Sequence, residues 1–320
     1  MSLNFDKEQQ INDNNENNLN QSCRESDINK VFSNLLNPFN TIGGRRFLNE
    51  SKQALPSDTK EFERRVSAHL IFHYLWRSNF SAPVEEILMN DKAKVLYIGR
   101  CGYWTLEMAS DFPKSIIVGI SDPSCNLPST YKQPSNVGFI EFNLLSGIPF
   151  PDETFDYVHL STMWASLTKQ QYLSVIHETV RVTKHGGWIE IEEPDLEYIN
   201  LGHSMKLVQD AVHAKLKEDG FDPKIISTIP ECFESINEVG NVGHSQVNSP
   251  IGNWSGSFGE LLLEQVKQFY SALTYMPNYM NISQKEYQQL FADFDKECIQ
   301  NKTYGKLYRY FIYQKMETAG

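Results

Sequence analysis

The sequence predicts an α/β fold in which βαβ units build a largely parallel sheet, and three observations carry that expectation. Residues 94–124, KVLYIGRCGYWTLEMASDFPKSIIVGISDPS, read as strand, tight turn, helix and strand. Val95, Leu96 and Ile98 form a short β-branched-rich apolar run; Gly99 and Gly102 break it, and Trp104, Leu106, Met108 and Ala109 follow at helical spacing. Further strand-length apolar runs at 137–142, 155–160 and 188–192 continue the pattern, with a helix-period segment at 169–183. In such a sheet the connections are right-handed, and the ligand crevice lies beyond the carboxyl ends of the strands. The Gly99–Gly102 turn falls at that position, where a helix N-terminus offers backbone N–H groups.

In chain order, residues 1–42 come first. The segment to about residue 40 is rich in Asn, Gln, Asp and Glu and nearly empty of aromatics, so it is expected to be a disordered, solubilising tail. A weak helical pattern at 28–36 is the alternative, a segment that docks transiently. From Gly43 the composition changes. Pro56, then Ser57 and Asp58 as capping residues, open a helix running through Arg65, His69, Phe72, Leu75 and Trp76 to about Asn79. Its aromatics read first as core and second as a lid, and Arg45 and Arg46 read as a solvated pair with a ligand carboxylate as the alternative. Pro83 opens a short helix over 82–89.

After the second strand at 115–120, residues 125–136 read as a loop, and the strand at 137–142 leads into Asn143 and Leu144. The strand at 155–160 places His159 and Ser161 at its carboxyl end; a lone histidine there is more often structural than catalytic. His185, Gly186 and Gly187 form a turn before the fifth strand. Glu190, Glu192, Glu193 and Asp195 are acidic neighbours, but Glu192 and Glu193 face opposite sides of a strand, which argues against a metal cluster. Helices are expected at 203–219, 224–236, 258–275 and 283–299, with strands at 239–247 and 304–315.

Composition narrows the function classes. The chain has 320 residues, 40% of them hydrophobic, which suits a globular core with decorations. Its 29 basic and 40 acidic residues give a net charge of −11, and no long Lys/Arg run offsets it, so no nucleic-acid partner is expected. The five cysteines are scattered without zinc-type pairing, which suggests a reducing cytoplasmic or nuclear setting. No apolar run is long enough to span a bilayer, so no membrane partner is expected.

The turn segment GRCGYWTLEMA, together with IPFPDETFDYVHL and ETVRVTKHGGWIEIEEPD, resembles the class I S-adenosylmethionine-dependent methyltransferases, and GRRF and SNFSAPVEEIL are similar to fungal methyltransferase-domain proteins. The resemblance covers about residue 44 to the C-terminus. It implies a Rossmann-like, doubly wound, seven-stranded and mostly parallel sheet in a domain over 43–320, with late antiparallel strands and a helical insertion. It also implies S-adenosylmethionine as cofactor and a small-molecule or protein methyl acceptor. The cofactor residues it implies are Gly99, Arg100, Cys101 and Gly102 at the turn, Ser121 or Asp122 at the ribose, Asn143 and Leu144 at the adenine, and His159 as a polar contact; no catalytic residue follows from it.

Three positions depart from the family pattern. Tyr97 stands where an acidic residue is usual, and Ser121 stands where a carboxylate would meet the ribose, with Asp122 one place later. The turn GRCGYW is also one residue short, which brings the bulky Tyr103 where a small residue is expected and predicts a partly filled crevice. These departures leave a second reading, a methyltransferase-like binding protein impaired in catalysis.

Overall fold

The computed structural model describes residues 39–48, 54–121 and 133–316. Two short strands come first, β1 (Phe39–Ile42) and β2 (Arg45–Leu48), paired as an antiparallel hairpin. Residues 39–42, assigned to the tail from sequence, are thus structured. The short run FNTI offers little periodicity of its own and gains its order from β2. The rest of the tail reading concerns residues 1–38, which lie outside the described residues.

The hairpin holds the start of helix α1 (Thr59–Trp76). The Asp58 carboxylate caps the helix by accepting from the Glu61 N–H at 2.9 Å, and the Arg45 guanidinium donates to the same carboxylate at 2.6 and 2.7 Å. Arg46 donates to the Ser57 carbonyl and lies 4.3 Å from the Phe39 ring centre. Both arginines are therefore tied to the helix start; Arg45 is half-buried there, while Arg46 stays exposed as the solvated reading expects. Asp58→Ala is expected to lower stability by about 1–2 kcal/mol in urea unfolding at pH 7, since the cap and its ion pair are lost together. Burial pushes the Asp58 carboxyl up, but Arg45 and the Glu61 N–H outweigh it and hold the group down at about 2. A depressed carboxyl stabilises above its unfolded value, so the difference between wild type and variant should shrink as pH falls from about 4 towards 2.

The main sheet has seven strands. In chain order, with their helices, they are α2 (Glu85–Met89), β3 (Lys94–Gly99), α3 (Tyr103–Asp111), β4 (Ile116–Ser121), β5 (Val137–Glu141), β6 (Phe155–Ser161), α4 (Lys169–Val182) and β7 (Thr183–Pro194). There follow α5 (His203–Glu218), α6 (Ile225–Glu234), β8 (Val239–Pro250), α7 (Ser257–Ala272), α8 (Met276–Tyr279), α9 (Gln284–Asn301) and β9 (Tyr304–Gln314). The strand order is β5-β4-β3-β6-β7-β9-β8. Pairs from β5 to β7 are parallel; β9 is antiparallel to both β7 and β8. His185, Gly186 and Gly187 form a bulge, because the register jumps from Phe155↔Thr183 to Tyr157↔Trp188.

Strand alternation divides the core. Leu96, Ile98, Val158, Leu160, Ile189 and Ile191 face one side, where Tyr172, Ile176, Val208, Val212, Ile229 and Phe233 of α4, α5 and α6 cover them. Val95, Tyr97 and Tyr157 face the other, with Trp104, Met108 and Leu88 from α3 and α2. The strand order reverses between β3 and β6, so the crevice expected for a ligand opens at their carboxyl ends. There α1 and α7 lie together as a roof, joined by the Gln265 side chain donating to the Arg64 carbonyl at 3.1 Å.

Candidate functional site

The glycine turn occupies the expected place. β3 ends at Gly99, and Gly102 precedes α3 with φ −67° and no side-chain cap on the helix. The surprise is Tyr97. On a strand, residues two apart share a face, and the Tyr97 ring leans along β3 across Gly99. A Cβ at Gly99 would lie 2.3 Å from the Tyr97 hydroxyl. Gly99 therefore makes room for Tyr97 itself. The space sequence reasoning filled with Tyr103 is filled by Tyr97, while Tyr103, the first residue of α3, packs on His69 with ring centres 5.7 Å apart.

Tyr97 belongs to a group of near-parallel rings. Its ring lies 5.0 Å from Trp104 at 17° and 5.9 Å from His159 at 14°, and Trp104 lies 4.5 Å from His159 at 3°. Trp104 is fixed by donating its indole N–H to the Asn79 carbonyl. His159 is fully buried, with Nδ1 3.1 Å from the Tyr157 hydroxyl. Burial, then the Arg309 charge, pushes its pKa well below the usual imidazole value, so it is neutral. It supports the rings from inside and does not line the cavity beside them.

That cavity measures about 120 Å³ and lies over the carboxyl ends of β3, β6 and β7. Tyr97, Arg100, Cys101, Ser161 and Glu192 form its floor, and Phe72, Leu75, Leu262 and Phe269 belong to its roof. The α1 side is cationic. Buried Glu61 pairs with Arg64 at 2.7 Å and Arg65 at 3.0 Å, and burial, which pushes its carboxyl up, is outweighed by Arg64, Arg65 and Arg100, which hold it low. Those three arginines all line the cavity. Arg100 also donates to the Ser57 hydroxyl at 3.3 Å.

On the floor, Glu192 is held at 2.7 Å by Arg309, which also lies 3.4 Å from Glu190. Glu193 points to the other side, where its carboxylate accepts from the Met163 N–H and the Tyr172 hydroxyl. The acidic run is therefore split across the sheet, as strand alternation requires.

The remaining sequence-derived positions follow the sheet edge. Ser121 ends β4 in register with Glu141 of β5; Asp122 lies outside the described residues. Asn143 is exposed, and its Oδ1 accepts from the Leu145 N–H at 3.0 Å, capping the 3-10 turn that contains Leu144. The ends of β3, β4 and β5 thus lie side by side, bringing the turn, Ser121 and Asn143 onto one edge. Sequence reasoning missed the Glu61–Arg64–Arg65 cluster and a contact between His69 of α1 and Glu107 of α3. The one-turn spacing of His69 and His73 was visible in the chain, but the approach of Glu107 is tertiary.

The chain is similar in sequence to known methyltransferases. Residues 96–191 match the family model described as a methyltransferase domain. Methyltransferase str3 of Strobilurus tenacellus is 25% identical over 175 residues, spanning 53% of this chain and 60% of its own length. N-methyltransferase sirN of Leptosphaeria maculans is 24% identical over 287 residues, spanning 83% of this chain and 94% of its own. Among solved structures, Haemonchus contortus phosphoethanolamine N-methyltransferase 2 in complex with S-adenosyl-L-methionine is similar at TM-score 0.44 and 15% identity, covering 85% of this chain and 62% of that one. The match places a methyltransferase domain over residues 96–191, the part of the chain whose glycine loop turns to the β3/β6 crevice.

Proposed function

We propose that this protein transfers a methyl group from S-adenosylmethionine to a small acceptor held in the cavity under α1 and α7. The observation that carries the reading is the direct adjacency of the glycine turn to that cavity, with Arg100 and Cys101 of the turn forming part of its wall. When bound, the cofactor would supply a methyl group on a sulfonium sulfur, with the thioether S-adenosylhomocysteine as the leaving group when an acceptor atom takes that methyl. The chain's own part is to align the acceptor and to exclude water beneath its roof.

The turn from Gly99 to Gly102 suits the methionine end, since the N-terminus of α3 carries no side-chain cap. On the α1 side Arg64, Arg65 and Arg100 outnumber Glu61, which favours a carboxylate there, while Glu192 and Asp195 also line the cavity. Ser121 or Asp122 is assigned to the ribose, and Asn143 with Leu144 to the adenine. A mostly apolar cavity of this size favours a small molecule over a protein side chain, and the name of sirN supports nitrogen as the acceptor atom.

The donor set fits the cofactor, but the space over Gly99 fits only when the Tyr97 ring turns aside. At about 120 Å³ the cavity is also smaller than the roughly 300–1,000 Å³ of pockets that hold drug-sized ligands. Binding therefore carries a conformational tax, since a state with Tyr97 displaced must be populated first. Tyr97 also favours a second reading, a methyltransferase-like binding protein without turnover.

Calorimetry with S-adenosylmethionine and S-adenosylhomocysteine tests both readings. Wild type is expected to bind each, and Tyr97→Ala to bind about tenfold more tightly, the equivalent of about 1.4 kcal/mol. Absence of binding to wild type and variant alike would sink the enzymatic reading. Binding of the cofactor without its consumption across a panel of small amines would favour the second.

A further inference from the structure

His69 and His73 stand one turn apart on the same face of α1, and Glu107 of α3 meets both. Its Oε2 lies 2.7 Å from His69 Nε2 and 3.6 Å from His73 Nδ1, and all three ligand atoms lie within 4.8 Å of one another. A tetrahedral metal at about 2.0–2.1 Å from nitrogen and oxygen ligands places those ligands roughly 3.3 Å apart, within this range. The set is half-buried, with side-chain exposures of 10%, 39% and 22% for His69, His73 and Glu107. It is thus shielded yet reachable.

A second observation points the same way. The Asn79 side chain hydrogen-bonds Glu107 and is buried at 6% exposure, while its Oδ1 has no hydrogen-bond partner. An outer-shell amide that orients a ligating carboxylate is a common device at metal sites, and its carbonyl can accept from a metal-bound water.

We propose that His69, His73 and Glu107 bind a divalent transition metal, Zn²⁺ by their donor set, and that the ion clamps α1 onto α3. Two imidazoles and a carboxylate leave the fourth position for water. Binding breaks the His69–Glu107 hydrogen bond, and the proton on His69 Nε2 moves to Nδ1 or to solvent. His69 also lines the cavity, and α3 begins at the glycine turn. The clamp therefore joins the roof of the cavity to the helix that follows its floor, and it does not depend on methyl transfer.

The test uses the full chain, stripped with EDTA and dialysed, and titrated with Zn²⁺ by calorimetry and with Co²⁺ by visible absorption. One Zn²⁺ per chain is expected, with a rise in melting temperature on its addition. His73→Ala and Glu107→Gln should each weaken binding at least tenfold and abolish that rise, while His177→Ala at an exposed position should change nothing. Melting in EDTA shows that the variants are folded; His73 is exposed enough for its truncation to be tolerated. Wild-type protein that takes up no Zn²⁺ below millimolar concentration would overturn the proposal, as would both variants binding the ion as tightly as wild type.

Discussion

Arg309→Ala is expected to lower the unfolding free energy by about 3–5 kcal/mol, the range for breaking a buried ion pair by removing one partner. Arg309 is 2% exposed and sits on β9 in register with Glu192. Its Nε donates to Glu192 at 2.7 Å and lies 3.4 Å from Glu190; another nitrogen donates to the Ser78 carbonyl at 3.0 Å, and the guanidinium covers the Trp76 ring at 4.8 Å. Without it, two buried carboxyl groups face each other with no cation between them. Burial already pushes the Glu190 carboxyl up, and the Arg309 charge works against that. Chemical unfolding at pH 7 is the measurement. A loss below 1 kcal/mol would mean that water or a rearranged side chain replaces the guanidinium.

Glu193→Gln should be the opposite case, a substitution that stabilises above neutral pH. Burial pushes the Glu193 carboxyl up to about 8, and its hydrogen bonds from Met163 and Tyr172 do not offset this. A raised carboxyl favours the fold fully below its unfolded value, near 4.5, and that contribution is lost as pH rises through about 8. Each unit is about 1.4 kcal/mol, so ionising Glu193 in place costs several kcal/mol. Glutamine keeps the accepting oxygen and cannot ionise. The stability difference, variant minus wild type, should therefore grow between pH 5 and 8, and a difference independent of pH would show that Glu193 is ionised throughout.

The parallel half of the sheet was legible because its strands are short, fully apolar runs flanked by glycine or by helical patterns. The glycine turn was legible for the same reason, since Gly99 and Gly102 interrupt an otherwise continuous buried segment. What the turn holds was not. Tyr97 was visible as a departure from the family pattern, but the direction of its ring depends on packing against Trp104 and His159, which arrive from α3 and β6. Blame therefore fell on Tyr103, whose place at the start of a helix aims it at α1 instead. His159 was placed correctly near a strand end, yet its exposure depends on what covers it. Arg45 and Arg46 were read without partners because Asp58 and Ser57 reach them only once the hairpin folds back.

The antiparallel position of β9 has a consequence for how the protein matures. Among the described residues β8 pairs with β9 alone, and β7 meets β8 through it, so the last strand described is inserted between two that precede it. During synthesis, roughly 5–20 residues per second emerge from the ribosome, and β3 to β7 can associate as they appear. β8 cannot join them until residues 304–314 have left the exit tunnel. For that interval the β7 edge is unpaired and Glu192 is without Arg309. Closure of the sheet, neutralisation of its buried acids and completion of the cavity floor then happen in one late step.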